Sequence, residues 1–149
     1  MRMVLIVGAL AIAGPVQASG GLNCEAKDKA AELSISSGIT RGMGSPLFNF
    51  NGDVRVAGKK VAADLARTTF GDDHVAQYWL DGEDLRLVLY RERDAGKPHG
   101  YVEVTILANA AGEENTFAGD YAITIYDGVD GTSEGRTVNL GGRVDCFVE

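Results

Sequence analysis

Apolar and polar residues alternate along most of the chain from Leu33 onwards, and turn-forming residues separate the alternating stretches at intervals typical of an all-β domain. Residues 33–36 show the pattern in its simplest form, as Leu-Ser-Ile-Ser. Residues 101–108 and 120–126 repeat it, with mostly valine and isoleucine at every second position. Each stretch predicts a short strand that buries one face against a core and turns the other towards water.

The strongest hairpin signal lies at Asp81-Gly82, which separates residues 75–80 from residues 83–91. A two-residue type I′ turn at this dipeptide would bring the leucines of both strands onto one face. We expect that face to be the core, because the arginine between two leucines of the second strand needs contact with water. The predicted core face comprises Tyr78, Leu80, Leu85, Leu87 and Leu89.

Two other segments contain glycines that affect the strand plan. Residues 47–56 carry Asn51-Gly52 at their centre, which predicts a second hairpin because both residues tolerate a positive φ angle. Residues 136–148 predict the final strand or strand pair, with a bulge or sharp bend at the glycine pair 141–142.

Residues 59–69 are the one helix candidate. Val61 and Leu65 lie four residues apart, and alanines with the same spacing follow each of them on the same side. The segment is long enough for about three helical turns. The predicted fold therefore has room for one short helix.

Together these elements predict an all-β fold, namely an antiparallel β-sandwich of about eight short strands with one candidate helix. The alternative is a small closed β-barrel. Gly119-Asp120-Tyr121 resembles the approach to the tyrosine corner of immunoglobulin-like folds, and this resemblance favours the sandwich. In a tyrosine corner, the tyrosine hydroxyl forms a hydrogen bond back to the preceding turn. The cysteine and tryptophan spacing of immunoglobulin domains is absent, so the chain is not assigned to that family. Residues 19–149 contain neither a repeat nor a linker, and we expect a single β domain.

The N-terminus carries the pattern of an export signal. Residues 1–3 include one arginine, residues 4–13 are apolar, and small residues precede a cleavage position after Ala18. The apolar run is too short to span a bilayer, which takes about 20 residues. We expect residues 1–18 to be a cleaved signal peptide and the mature protein to be periplasmic or secreted, without membrane insertion.

The composition is acidic, with 14 Lys and Arg against 21 Asp and Glu and a net charge of −7. Loss of residues 1–18 would remove one arginine and no acid, which leaves 13 basic and 21 acidic residues and a charge of −8. Nucleic acid and anionic membrane surfaces repel such a protein, whereas a basic partner is permitted.

Two cysteines, Cys24 and Cys146, lie near the two ends of the expected mature chain. In an oxidising compartment we expect them to form one structural disulfide that ties the first strand to the last. A redox-active pair would need a closer spacing, such as Cys-x-x-Cys, and an electropositive setting, and the sequence has neither.

The sequence offers little catalytic chemistry. It contains no nucleophile elbow, no free cysteine with a histidine partner and no phosphate-binding loop. With both cysteines oxidised, His74 and His99 are too few for a zinc site. Residues 72–74 and 127–134 offer oxygen ligands, but both are also ordinary turn sequences. We therefore predict a protein that is not an enzyme and that has no catalytic residue, metal or cofactor.

If the leucine face is the core, several aromatic side chains point outwards, and tryptophan and tyrosine are common anchors of binding surfaces. The predicted binding surface comprises Trp79, Tyr90, Tyr101, Tyr126 and Phe147. The competing interpretation is that aromatic residues are common in strands whatever the function.

These observations predict a binding or interaction protein whose partner is a protein or a component of the cell envelope. One concrete form is an inhibitor of a basic extracellular hydrolase, because a small acidic domain attracts a cationic enzyme. Two alternatives stay open: a lipocalin-like carrier of a small apolar ligand, and a calcium-dependent module that uses residues 127–134. The cavity of the carrier would be lined by Tyr78, Leu87, Val104 and Ile123.

Overall fold

The computed structural model describes residues 19–40, 42, 44, 46–58, 60–128 and 134–149. Within them it contains nine β-strands and one short 3-10 helix, Asp72–His74. The strands are β1 (Ser19–Lys27), β2 (Ala31–Thr40), β3 (Leu47–Val56), β4 (Arg67–Phe70), β5 (Val75–Asp81), β6 (Asp84–Glu92), β7 (Gly100–Ala110), β8 (Thr116–Gly128) and β9 (Gly135–Val148). The predicted signal peptide, residues 1–18, lies outside the described residues.

All nine strands belong to one antiparallel sheet, in the order β4-β3-β2-β1-β9-β8-β7-β6-β5. The two edge strands, β4 and β5, are consecutive in the chain, and only residues 71–74 separate them. Arg91 of β6 reaches across the gap between the edges, since its Nη1 donates a 2.6 Å hydrogen bond to the carbonyl oxygen of Thr69 in β4. The sheet therefore curls into a nearly closed barrel.

This architecture confirms the all-β antiparallel class, and the barrel is the alternative that matches. The sandwich is wrong because the strands form one continuous sheet rather than two. Alternation specifies which face of a strand is buried, and that face is the same in a sandwich and in a barrel. The pairing that decides between them, β1 with β9, joins segments far apart in the sequence.

The predicted strands at residues 33–36, 101–108 and 120–126 are confirmed as parts of β2, β7 and β8. Their alternate side chains point into the barrel and form its packed interior. The most deeply buried of them, each at most 2% exposed, are Leu33, Ile35, Val102, Val104, Ile106, Tyr121, Ile123 and Ile125.

The β5–β6 hairpin confirms the predicted core face, but its turn is shifted. Asp81 pairs with Asp84, so the turn residues are Gly82 and Glu83 rather than Asp81 and Gly82. Of these two, Gly82 alone has a positive φ angle (57°), so the predicted type I′ turn, which needs two, is wrong. Because the pairing moves by two residues, every side chain keeps its predicted face, and the three leucines of β6 are at most 1% exposed.

The hairpin predicted at Asn51-Gly52 does not form, because the segment is one continuous strand, β3. Gly52 faces the interior, where an added Cβ atom would lie 3.3 Å from atoms of both the Phe50 and the Phe70 side chains. The glycine at this position makes room for core packing rather than for a turn.

The helix predicted for residues 59–69 is not formed in the described part of that segment. The chain makes a single turn, closed by a 2.8 Å hydrogen bond from the backbone N–H of Ala66 to the carbonyl oxygen of Ala62, and then enters β4. Leu65 is nevertheless only 3% exposed. Its burial in the barrel core explains the apolar spacing that suggested a helix.

The segment between β3 and β4, described at residues 57–58 and 60–66, crosses one end of the barrel, and we call these residues the crossing loop. Asp64 in this loop forms ion pairs with Arg93 and Lys97 of the β6–β7 hairpin, each at 3.0 Å. Arg136 of β9 donates a hydrogen bond to a backbone carbonyl oxygen of the loop, with an Nη1···O distance of 3.2 Å. The loop is thus fastened to the β6–β7 connection and to β9.

Gly141 and Gly142 do not interrupt β9, which pairs with β8 without a break across both residues. Gly142 instead leaves space for the ring of Tyr121, whose hydroxyl donates a 2.6 Å hydrogen bond to Oδ2 of Asp28 in the β1–β2 turn. An added Cβ on Gly142 would overlap that carboxylate oxygen. Tyr121 therefore forms its hydrogen bond with a turn that is distant in the sequence. The prediction of a tyrosine-corner contact with its own preceding turn is wrong.

The Tyr121→Phe variant should be less stable than the wild type at neutral pH. The bond from Tyr121, followed by those from the backbone N–H groups of Ala31 and Ala30, holds the pKa of Asp28 below its usual value. Because the pKa of Asp28 is lower in the folded protein than in the unfolded chain, where it is about 3.9, this carboxylate stabilises the fold at pH values above that unfolded value. The contribution is lost as the pH falls through the pKa of the folded protein. Urea unfolding across this range should show the difference between the two proteins shrinking in acid; a constant difference would contradict the assignment.

Cys24 and Cys146 form the predicted disulfide, with an S–S distance of 2.07 Å. It joins β1 to β9 at a position where the two residues are directly paired, and both are buried in the core. A disulfide in this position indicates an oxidising environment. Among the described residues, the structure has no helix with the length and apolar character needed to cross a membrane.

Candidate functional site

The five residues of the predicted binding surface lie in three separate places on the outside of the barrel. Tyr90, Tyr101 and Tyr126 are neighbours on β6, β7 and β8, and we call these three residues the tyrosine shelf. Trp79 lies on β5 and is 57% exposed, and Phe147 lies on β9 and is 40% exposed. The structure thus brings three of the predicted residues together and leaves two apart.

The rings of the tyrosine shelf are in mutual contact. The ring centroids of Tyr90 and Tyr101 are 5.3 Å apart, and those of Tyr101 and Tyr126 are 5.7 Å apart with an angle of 21° between the planes. His99 extends the group, with its ring centroid 5.6 Å from that of Tyr126 and 6.1 Å from that of Tyr101. Such spacings are favourable for aromatic contacts. Tyr101 is the central member, since it touches a ring on each side.

The strand register explains why these rings meet. Tyr101 lies directly opposite Tyr126 in the β7–β8 pair. In the β6–β7 pair Glu92 lies opposite Tyr101, so that Tyr90, two residues earlier on the same face of β6, is the diagonal neighbour of Tyr101. The ring of Tyr126 lies over Gly135 of β9, where an added Cβ atom would overlap the ring. The glycine allows this tyrosine to lie flat against the barrel wall.

Two glutamates lie beside Tyr90 and Tyr101 of the shelf. The hydroxyl of Tyr90 donates a 3.1 Å hydrogen bond to Oε1 of Glu92. The pKa of Tyr90 lies above its usual value, chiefly because the group is partly removed from water. The hydrogen bond to Glu92 and the nearby charges, including those of Glu92 and Glu103, raise this pKa further. Neither glutamate has an ion pair with a lysine or arginine of the described residues. The shelf therefore combines aromatic rings with two carboxylates whose charge is not neutralised locally.

A buried arginine supports the hairpin that carries the shelf. The side chain of Arg93 is 6% exposed, and its Nη2 donates a 2.7 Å hydrogen bond to Oδ1 of Asp127. Its Nε lies 3.0 Å from Oδ2 of Asp64, an ion pair without hydrogen-bond alignment. Burial by itself would raise the pKa of Asp64, but the hydrogen bond from Lys97 and the charge of Arg93 outweigh it, so that the pKa lies below its usual value. These contacts fix the β6–β7 hairpin against the crossing loop.

Trp79 lies beside the shelf but does not belong to it. It is paired with Arg86 of β6, which is in turn paired with Leu107 of β7, and Leu107 is 54% exposed. Along β6, Val88 separates Arg86 from Tyr90 on the outer face. Trp79 and Leu107 are thus two exposed apolar side chains with Arg86 between them.

Phe147 lies far from the shelf. It is paired with Asn23 of β1 and with Thr116 of β8, whereas Tyr126 is paired with Thr137. Ten residues of strand separate positions 137 and 147, which corresponds to about 33 Å. Phe147 lines a shallow depression of about 540 Å³ at the other end of β9.

The candidate metal ligands are engaged in local structure. Oδ1 of Asp72 accepts a 2.9 Å hydrogen bond from the backbone N–H of Phe50, and Nδ1 of His74 accepts one of 2.9 Å from that of Gly71. Residues 129–133 of the other candidate loop lie outside the described residues. In the described ranges, no three His, Cys, Asp or Glu side chains are grouped so that they could hold a metal ion.

The positions named for a carrier cavity belong to the packed interior. Leu87, Val104 and Ile123 are at most 1% exposed and belong to the hydrophobic core. Tyr78 is partly buried, its hydroxyl has no hydrogen-bond partner among the described residues, and burial raises its pKa to about 12. The carrier alternative stays a prediction, and these residues would serve it only through rearrangement of the core.

Sequence reasoning missed three members of the site, namely His99, Glu92 and Glu103. The outward direction of Glu92 and Glu103 follows from the alternation of β6 and β7, but their closeness to the tyrosines follows only from the pairing between strands. His99 precedes β7, where alternation gives no direction.

Comparison of the chain with protein-family models, with curated proteins and with solved structures finds no match. The chemistry of the surface is therefore the basis for a functional proposal.

Proposed function

We propose that this chain is an extracellular binding protein that recognises a basic protein surface through the tyrosine shelf. The observation that carries the proposal is the contact of three tyrosine rings on the outer face beside Glu92 and Glu103, which have no cationic partner among the described residues. An aromatic surface with unneutralised negative charge is complementary to lysine and arginine side chains.

Two kinds of interaction would act together at this surface. A guanidinium or ammonium group over a tyrosine face contributes about 0.5–1 kcal/mol when exposed and about 2 kcal/mol when water is excluded. A hydrogen bond from the same cation to Glu92 or Glu103 is charge-assisted and therefore stronger than a neutral one. Tyrosine also loses little conformational entropy on binding, because its side chain has only two flexible torsions.

The charge and the environment of the protein agree with such a partner. The net charge of −7, or −8 without residues 1–18, attracts a cationic protein over long range and raises its association rate. The disulfide supports an oxidising compartment, and cleavage after residue 18 with release to the periplasm or the exterior is part of the proposal. Basic extracellular hydrolases are cationic proteins of such compartments, so we propose inhibition of one of them as the specific role.

Tyr101→Ala is the variant that tests the proposal. Tyr101 touches both other rings of the shelf, so its loss is expected to weaken binding to a basic hydrolase about 30-fold, as for a hot spot of about 2 kcal/mol. Isothermal titration calorimetry with purified lysozyme and with poly-L-lysine measures the effect. Binding of the wild type should weaken as salt is raised, because the attraction is partly between charges.

The matched control is Phe48→Ala, which removes a partly exposed aromatic ring (38%) from β3 in the other half of the sheet. This variant should bind like the wild type. Poly-L-glutamate should not bind to any of the three proteins. Wild-type affinity retained in Tyr101→Ala, or the absence of binding to both cationic probes, would refute the proposal.

A further inference from the structure

An open cleft of about 630 Å³ lies at the barrel end that the crossing loop crosses, on the half of the sheet formed by β1 to β4. Its walls are the β1–β2 turn, the ends of β3 and β4, and the loop itself. The volume is within the range of small-molecule sites, about 300–1,000 Å³. The tyrosine shelf lies on β6, β7 and β8, so the cleft is a separate place on the molecule.

Charged residues line one side of the cleft in a row across four strands. Lys27 of β1 is paired with Glu32 of β2, Glu32 with Arg55 of β3, and Arg55 with Arg67 of β4. All four residues line the cleft. Two arginines directly opposite each other on neighbouring strands repel and destabilise the sheet. An anion bound between them would reduce this repulsion.

The protein pairs Lys27 and Arg55 with carboxylates, but it leaves the guanidinium of Arg67 without a counterion among the described residues. Nζ of Lys27 is 3.2 Å from Oε1 of Glu32, and Nε of Arg55 is 3.1 Å from Oδ1 of Asp53. The Nη atoms of Arg55 have no acceptor among the described residues, and the side chain of Arg67 has no hydrogen bond or ion pair with any of them. Several N–H donors in this row are therefore free for a ligand.

The acidic residues at the cleft limit the charge of a ligand. Asp28 also lines it, and its Oδ2 accepts the hydrogen bond from Tyr121, while its Oδ1 accepts those from two backbone N–H groups of the β1–β2 turn. Beside the carboxylates of Asp28 and Glu32, a doubly charged phosphate would meet more repulsion than a singly charged group. A carboxylate, which matches the planar fork of a guanidinium, fits better.

The remaining wall of the cleft is apolar. It is formed by valine and alanine residues of β2, of β3 and of the crossing loop. The apolar lining residues are Ala31, Val56, Ala57, Val61, Ala63 and Ala66. A short hydrocarbon chain placed against this wall would be removed from water, which is favourable for each methylene group.

From these features we propose that the cleft binds an amphiphilic carboxylate, with the head group between Arg55 and Arg67 and the hydrocarbon chain against the crossing loop. This site is independent of the tyrosine shelf and goes beyond binding of a basic protein. It gives an acidic protein one place for a negatively charged small molecule.

Decanoate, used below its micelle concentration, is the probe. Titration followed by amide NMR shifts should show saturable binding, with the largest changes in the crossing loop and at the ends of β3 and β4. Arg67→Gln should weaken binding at least about tenfold, because it removes one of the two charges that hold the head group. The thermal midpoint of this variant should not fall, since the side chain of Arg67 has no hydrogen bond or ion pair in the described residues.

Arg143→Gln is the matched control, because Arg143 is an exposed strand arginine (71%) on β9 that pairs with Asp120, and it does not line the cleft. It should bind decanoate like the wild type. Acetate should bind at least about tenfold more weakly than decanoate, and decyltrimethylammonium should not compete with it. Failure of decanoate to saturate, equal affinity in Arg67→Gln, or equal affinity for acetate would each overturn the proposal.

Discussion

Replacing Cys24 and Cys146 together by alanine is expected to lower the free energy of unfolding by about 4–5 kcal/mol. The two cysteines are 122 residues apart in the sequence, and in the chain-entropy model a loop of this length gives a large restriction of the unfolded chain. The bond also lies at a critical seam. The β1–β9 pair links the half of the sheet made of β1 to β4 with the half made of β5 to β9.

That seam has a short hydrogen-bonded ladder. The β1–β9 register covers Leu22 to Glu25 of β1, whereas the β8–β9 register covers all thirteen residues of β8. Urea unfolding of the oxidised wild type, the double alanine variant and the wild type reduced with dithiothreitol measures the effect. The variant and the reduced protein should agree. A loss below about 1 kcal/mol would show that the ladder alone holds the seam.

Leu87→Ala should cost about 2–5 kcal/mol of unfolding free energy, because it leaves a cavity in the packed barrel interior. Leu87 is 1% exposed and pairs with Ile106 of β7. The matched control is Leu107→Ala, which makes the same change on β7 at the residue after Ile106. The side chain of Leu107 points to the outer face and is 54% exposed. This control should change the stability by at most about 0.5 kcal/mol.

The comparison of the two leucine variants tests the assignment of inner and outer faces. Denaturant unfolding with matched slopes gives both values on one scale. Similar losses in both variants would mean that the pairing of β6 with β7 is wrong by one residue, since a shift of that size exchanges the faces.

Residue alternation alone predicted the inward faces of the barrel correctly. In the β5–β6 hairpin even a misplaced turn left Leu85 and Leu87 inside, because an error of two residues preserves the pleat. Alternation says nothing about which strands meet, so it could not separate a sandwich from a barrel. Asn51-Gly52 failed for a related reason, since a glycine needed for core packing looks the same in the sequence as one needed for a turn.

The candidate sites were predicted only in part, for the same physical reason. Tyr90, Tyr101 and Tyr126 were recognised as outward-facing, and their contact depends on pairing across three strands. The cleft was missed because residues 59–69 were interpreted as a helix. Its arginine pair, Arg55 and Arg67, becomes visible only when β4 is placed beside β3.

The short connection between β4 and β5 also bears on how the protein behaves when concentrated. An open sheet presents two rows of unpaired backbone groups that can recruit strands from other molecules and start fibrils. Here residues 71–74 connect the two edge strands and bring one edge of the sheet towards the other. In the gap between them, the guanidinium of Arg91 donates a hydrogen bond to the backbone oxygen of Thr69. A charged side chain at that margin disfavours strand addition, and it therefore disfavours self-assembly of the protein at high concentration.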